Sequence, residues 1–303
     1  MIPFAIILNG NEIAKRVRIG VRKAAAQLPA PPGLAMIQVG DDPASHVYVA
    51  NKRKDCAKCG IISHVHHQEA STGEAQLLDL IHRLNHRHDI HGILVQLPLP
   101  DGCSVQKITA AIAPEKDVDA AHAQTVGRFY LTQGLAAHTT REAHPMQHMA
   151  AASGFLPCTP MGVMELLDAY EIDPLGTHAV VVGHSNIVGK PMGLMLLQRG
   201  ATVTTCHIHT RDLAVHTRMA DILVCAVGKA RLITADMVKP GAVVVDVGIN
   251  RSDDGICGDV DFDAVAKIAS HISPVPGGVG PMTRAMLMRN TLLAAQAQQR
   301  KSV

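Results

Sequence analysis

Aromatic side chains are scarce in this chain: 2% of 303 residues, with no Trp, 3 Tyr and 4 Phe. That scarcity removes the stacking platform on which single-stranded nucleic-acid binders rely. Charge of one sign is also lacking, because the formal net charge is +2 and no basic run exceeds a few residues. A nucleic-acid partner is therefore not expected. Long hydrophobic runs are missing as well. The longest, residues 179–182, 222–227 and 242–245, fall far short of the roughly 20 residues a membrane span needs, and they read as buried parallel strands. No membrane partner is expected. Residues 1–8 carry neither a basic region nor a small-residue cleavage site, so they read as an edge strand rather than a signal peptide. The 7 cysteines are an odd number without an export signal, which points to reduced thiols and a cytoplasmic location. Cys56-Ala57-Lys58-Cys59 has redox or zinc spacing, but it lies in a helical stretch and has no second copy. It reads as packing, and no metal is expected.

A chain of 303 residues suggests two domains. The first half alternates short apolar runs with helical periods: helix 13–28, strand 34–39 ending at Gly40, helix 45–59, strand 61–66, helix 74–85 and strand 92–97. Leu77, Leu78, Ile81 and Leu84 give helix 74–85 one apolar face. Repeated β-α-β of this kind predicts a parallel sheet, with ligands bound beyond the carboxyl ends of its strands. Residues 129–154 mix Thr, Ala, Gly and three histidines without a period. They read as an inserted loop with one helical turn near 146–152. His144 and His148 sit four apart, but no acidic or thiol third ligand accompanies them.

From residue 179 the order of elements changes to strand 179–182, a loop from Gly183, and a helix opened by Gly189-Lys190-Pro191 that runs to Gln198. Strand 202–206, helix 212–219, strand 222–227 and strand 242–247 follow. This is the order of a dinucleotide-binding domain. Ser185 stands where the middle glycine of Gly-x-Gly-x-x-Gly would be, but the strand, loop and helix N-terminus still offer backbone N–H groups to a pyrophosphate. No acidic residue ends the second strand. His207-Ile208-His209-Thr210-Arg211 stands there instead, a composition that suits the 2′-phosphate of NADP, with NAD left open.

Several side chains stand out along this path. Tyr48 and Lys52, four apart on one helix, set an aromatic ring beside an ammonium; alone, the pair reads first as a solvated cation–π or i,i+4 pair on an exposed helix. Gln96 ends an apolar strand with a carboxamide, as a ligand contact or a loop cap. Asp117 and Asp119 either cap the next segment or join Lys52 in an acid/base cluster. Pro274-Val275-Pro276-Gly277-Gly278 through Thr283 allows close backbone approach to a ligand, or links two domains.

Six blocks in order make the sequence resemble the bifunctional methylenetetrahydrofolate dehydrogenase/cyclohydrolase family. They are residues 43–52, 92–100, 116–119, 157–160, 183–191 and 274–283. The resemblance implies an α/β protein of two domains with a cleft between them. Residues 1–122, completed by helix 281–303, would be the folate-binding catalytic domain; 123–280, with the insertion near 129–154, would be a Rossmann-type NADP-binding domain. It further implies a homodimer that oxidises 5,10-methylenetetrahydrofolate with NADP and hydrolyses the 5,10-methenyl product to 10-formyltetrahydrofolate. Lys52 would be the catalytic amine, Gln96 its partner, Tyr48 a stacking ring and Asp119 the pterin ligand. Ser45, Pro276, Gly277 and Gly278 would line the folate site. Gly183, His184, Ser185, Ile187, Val188, Gly189, His207, His209 and Ile249 would hold the cofactor. The chain departs from the family in three places besides the insertion: Ala120-Ala121 replaces Gly-Phe, His184 stands at a position that is Arg in some relatives, and Ile208-His209 replaces a polar and basic pair. A short-chain dehydrogenase with Tyr-x-x-x-Lys is excluded by order, since here that helix precedes the cofactor loop.

Overall fold

The computed structural model describes residues 4–131, 154–252 and 255–300. In chain order the first elements are β1 (Ile6–Ile7), α1 (Gly10–Ala25), β2 (Gly33–Val39), α2 (Pro43–Cys59), β3 (Ile62–Gln68), α3 (Glu74–Asn85), β4 (Gly92–Val95), α4 (Val105–Ala110) and α5 (Ala123–Leu131). Then come α6 (Cys158–Ala169), β5 (His178–Val182), α7 (Gly189–Gln198), β6 (Thr202–Cys206), α8 (Leu213–Thr217) and β7 (Ile222–Cys225). The last are β8 (Val243–Asp246), β9 (Asn250–Ser252), β10 (Gly255–Cys257), α9 (Phe262–Val265), β11 (His271–Ile272) and α10 (Val279–Arg300). The chain forms two compact units, with changeovers after Ala14, Cys158 and Thr283.

The three-stranded unit is a parallel sheet in the order β3-β2-β4. Every residue of β2 is buried, as expected of a central strand covered on both faces. Leu77, Ile81 and Leu84 from α3 pack with Ile37, Ile93 and Ile108 into one core. The helix that matters most here, α2, has its start and stop written in local chemistry. Pro43 is pre-set for the first turn, and the Asp42 carboxylate accepts from Ser45 N at 2.8 Å. Gly60, at φ 72°, ends it in the left-handed conformation.

The six-stranded unit is parallel throughout, in the order β1-β11-β8-β7-β5-β6. Val180, Val182, Leu223, Val244 and Ile272 are buried at its centre. Because all the strands run the same way, the loops after β5, β6, β7 and β8 gather at one edge.

Three readings shift. The N-terminal strand, grouped by sequence with the first half, pairs with β11 and so edges the six-stranded sheet. Helix α1 starts at Gly10 rather than 13. Glycine hides that start from any propensity argument, and it is required there because a Cβ would fall 1.8 Å from Gly278 O. Helix α5 continues to Leu131 and buries Phe129, so the aperiodic stretch begins after it. The helical turn read near 146–152, and His138, His144 and His148, lie outside the described residues.

Candidate active site

The chemistry-bearing face of α2 is set by helical spacing. Tyr48, one turn before Lys52, is exposed, while Val49, Cys56 and Cys59 are buried. Burial pushes the thiols of Cys56 and Cys59 up to about 12 and about 11, so both are inert packing groups. All seven cysteines are free. Lys52 Nζ donates to Gln96 Oε1 at 2.9 Å. Gln96 lies just past β4, where its own N–H continues the ladder to Ile37 O at 2.8 Å. Its side-chain amide donates to Leu97 O at 2.8 Å, and this fixes the carboxamide with its oxygen toward the lysine.

The Lys116-Asp117-Val118-Asp119 block divides its labour residue by residue. Lys116 Nζ donates to Leu84 O at 3.3 Å and Arg87 O at 2.7 Å, closing the end of α3. The Asp117 carboxylate accepts from Ala121 N at 3.0 Å and His122 N at 2.9 Å, which holds the turn into α5. Val118 is wholly buried, against a glycine whose Cβ would lie 2.6 Å from its Cγ1. Only Asp119 is left over for chemistry. Ala120 follows at φ 54°, a conformation glycine adopts without strain.

Around Lys52 and Asp119 the surroundings oppose charge. Burial lowers the Lys52 pKa, with Arg284 adding to the effect and Asp119 and Cys158 opposing it. Burial likewise raises Asp119 against the pull of Lys52, and raises Cys158 well above the thiol range. Arg284 is itself paired with buried Asp55, Nε to Oδ2 at 2.8 Å, and Arg18 faces the other oxygen at 3.6 Å. Asn290, buried on α10, donates to Val118 O at 2.8 Å, Leu156 O at 2.9 Å and Cys158 Sγ at 3.6 Å. It ties the backbone beside Asp119 to the segment that carries Cys158.

In the six-stranded unit, residues 184–187 form an exposed loop between Gly183 and Gly189. A Cβ on Gly189 would lie 2.1 Å from Gly183 O, and one on Gly183 would lie 2.3 Å from Ala226 O. The strand end, the loop and the start of α7 therefore close on each other as a phosphate cradle requires. Ser185 Oγ accepts from Val188 N at 3.2 Å and Gly189 N at 3.4 Å, holding that closure. At the ends of β5 and β6, His184 and His207 lie with ring centroids 5.3 Å apart, and His209 lies 5.9 Å from His207. Two buried carboxylates brace the next loops. Asp259 accepts from the backbone of Val227, Gly228 and Lys229 at 2.7–3.0 Å and from Asn250 Nδ2 at 2.9 Å. Asp246 accepts from Gly248, Asp259 and Val260 N at 2.9–3.0 Å.

The sequence matches two family profiles: the tetrahydrofolate dehydrogenase/cyclohydrolase catalytic domain over residues 8–119, and the NAD(P)-binding domain of the same family over 157–299. A Bifunctional protein FolD of Burkholderia thailandensis is 52% identical over 296 residues, 96% of this chain and 97% of that protein. The chain belongs to the tetrahydrofolate dehydrogenase/cyclohydrolase family. Among solved structures, the bifunctional FolD enzyme of Campylobacter jejuni is 47% identical, with a TM-score of 0.88 over 97% of this chain and 99% of that one. The FolD of Trypanosoma brucei, solved with NADP cofactor and an inhibitor, is 34% identical with a TM-score of 0.87, covering 97% and 98%.

Within this family member, Ser45, Tyr48, Lys52, Gln96 and Asp119 all fall in the three-stranded unit. The cofactor-loop residues, exposed Ile249 after β8, and Pro276, Gly277 and Gly278 fall in the other. Gly277 and Gly278 pack on the start of α1, with Asn11 N donating to Gly277 O at 3.1 Å. Sequence reasoning gave no role to Cys158, Asn290, Arg284, Asp246 or Asp259. Cys158 carried one signal, its place in a quoted block, and Asp246 another, a carboxylate closing an apolar strand.

Proposed function

We propose that Lys52, Gln96 and Asp119 are the chemical centre of a bifunctional enzyme. It oxidises 5,10-methylenetetrahydrofolate to the 5,10-methenyl form with NADP, and hydrolyses that product to 10-formyltetrahydrofolate. Family membership along the whole chain supports the two reactions, and the 2.9 Å contact from Lys52 Nζ to Gln96 Oε1 is the observation that carries the assignment of roles. Tyr48 would stack on the aminobenzoyl ring, Asp119 would hold the pterin, and Ser45, Pro276, Gly277 and Gly278 would line the folate site. The cradle 183–189, His207, His209 and Ile249 would hold NADP, which when bound supplies the hydride acceptor. The closed Gly183–Gly189 approach fits that group.

Hydride departs from a carbon flanked by two nitrogens whose lone pairs stabilise the cation, so that step needs orientation more than an acid or base. Hydrolysis needs a proton taken from water as it attacks the amidinium carbon, and a proton given to the ring nitrogen as the C–N bond breaks. A lysine held toward its neutral form by burial and Arg284 accepts the first proton and, now cationic, returns it for the second, while the remaining hydroxyl proton leaves to solvent as the formyl carbonyl forms, so that one proton is released per turnover. Gln96 keeps the amine aimed. The same proposal has the enzyme acting in the cytoplasm as a homodimer, on tetrahydrofolate derivatives and without nucleic-acid or membrane partners. Among the described residues no helix is long and apolar enough to cross a membrane.

The test is to incubate purified protein with 5,10-methylenetetrahydrofolate and either NADP or NAD, following reduced cofactor, methenyl and formyl folate together. Reduced NADP with formyl product is expected. Accumulating methenyl folate would remove the hydrolase role, and silence with both cofactors would remove the enzyme reading.

A further inference from the structure

Away from the Lys52 cluster, three side chains of metal-ligating type converge from three elements. Asp41 follows Gly40 in the turn out of β2, His46 sits in the first turn of α2, and His67 lies near the end of β3. His46 Nε2 stands 3.4 Å from Asp41 Oδ1, and His67 Nε2 stands 3.2 Å from the same oxygen. The three ligand atoms all lie within 4.8 Å of one another. Helix capping does not account for Asp41, since the neighbouring Asp42 performs it. Four ligands placed tetrahedrally at 2.0–2.1 Å from an ion stand about 3.3 Å apart, and the separations from Asp41 Oδ1 to each imidazole match that spacing. Two imidazoles and one carboxylate select a borderline transition metal over magnesium or calcium. Each of the three side chains is substantially exposed, so an ion can enter and water can take the fourth position.

We propose that Asp41, His46 and His67 form a binding site for a divalent ion of the zinc type, which pins the β2–α2 turn to β3. The competing arrangement is also visible: His67 Nε2 lies 3.2 Å from Gly40 O, so a ring N–H shared between that carbonyl and Asp41 would hold the same geometry without an ion. Zinc must displace that proton, which makes the two arrangements separable.

The experiment is a competition titration of the chelator-stripped full chain with Zn²⁺ against a chromophoric chelator, repeated with Co²⁺ for its visible spectrum. The wild type should take up one equivalent at this site and give a tetrahedral Co²⁺ spectrum. His46→Ala, His67→Gln and Asp41→Asn should each weaken uptake at least tenfold, and the double variant His46→Ala/His67→Gln should lose it. Dehydrogenase turnover, assigned to none of the three, should match wild type and so report that each variant is folded. No uptake by the wild type, or equal uptake by the double variant, would overturn the site.

Discussion

At the scale of single residues, the proposed hydrolysis depends on the downward pull that burial exerts on the Lys52 pKa. Burial and Arg284 favour the neutral amine while Asp119 favours the cation, and the net direction is downward from the ordinary lysine range. With neutral Lys52 as the proposed base, hydrolysis should rise with pH and reach its half-maximum below that range, while hydride transfer changes little. Gln96→Glu places a carboxylate 2.9 Å from the ammonium in place of a neutral oxygen. That stabilises the cation, so the hydrolase pH profile should move to higher pH, with activity near neutrality down about tenfold for each unit moved. A profile that stays put would mean that the amine is not the titrating base. The histidines proposed for the cofactor belong to this scale too: His184, His207 and His209 gather after β5 and β6, where a charged residue would select between NADP and NAD.

At the scale of elements, the site is held by buried polar groups that anchor loops. Asn290 bonds two backbone carbonyls from inside α10, and replacing it with Ala leaves both without that donor and opens a small void. The cost should be about 2–4 kcal/mol, read as a lower urea midpoint, with a raised KM for folate because Val118 neighbours Asp119. A Cβ on Gly258 would lie 1.9 Å from Asp246 Oδ2. Gly258→Ala should therefore disturb the loops after β7 and β8 and weaken NADP binding more than folate binding, as titration calorimetry would report. These devices explain what could be read from sequence. The α2 face, α3 and the opening of α7 were legible because caps, prolines and apolar spacing act locally. Asp117 and Asp119 were not separable, since their difference lies in which distant N–H groups each one meets. Asn290 and Asp259 were invisible because a buried hydrogen bond to a remote backbone leaves no periodic trace.

At the scale of the whole molecule, one chain carries a folate-handling sheet and a nucleotide-handling sheet whose functional residues are far apart in sequence. NADP alone should slow hydrogen exchange at residues 183–189, 207–209 and 227–229, and leave residues 92–97 unchanged. Protection at 92–97 from NADP alone would contradict the assignment of the cradle. On the proposed reading, the product of one activity is the substrate of the other, and the two steps draw on different residues. The most direct test of that division is Lys52→Met, assayed for both steps in one preparation: methenyl folate hydrolysis should fall by at least a hundredfold, while NADP-dependent oxidation of 5,10-methylenetetrahydrofolate remains measurable. Equal loss of both activities in a folded variant would contradict it.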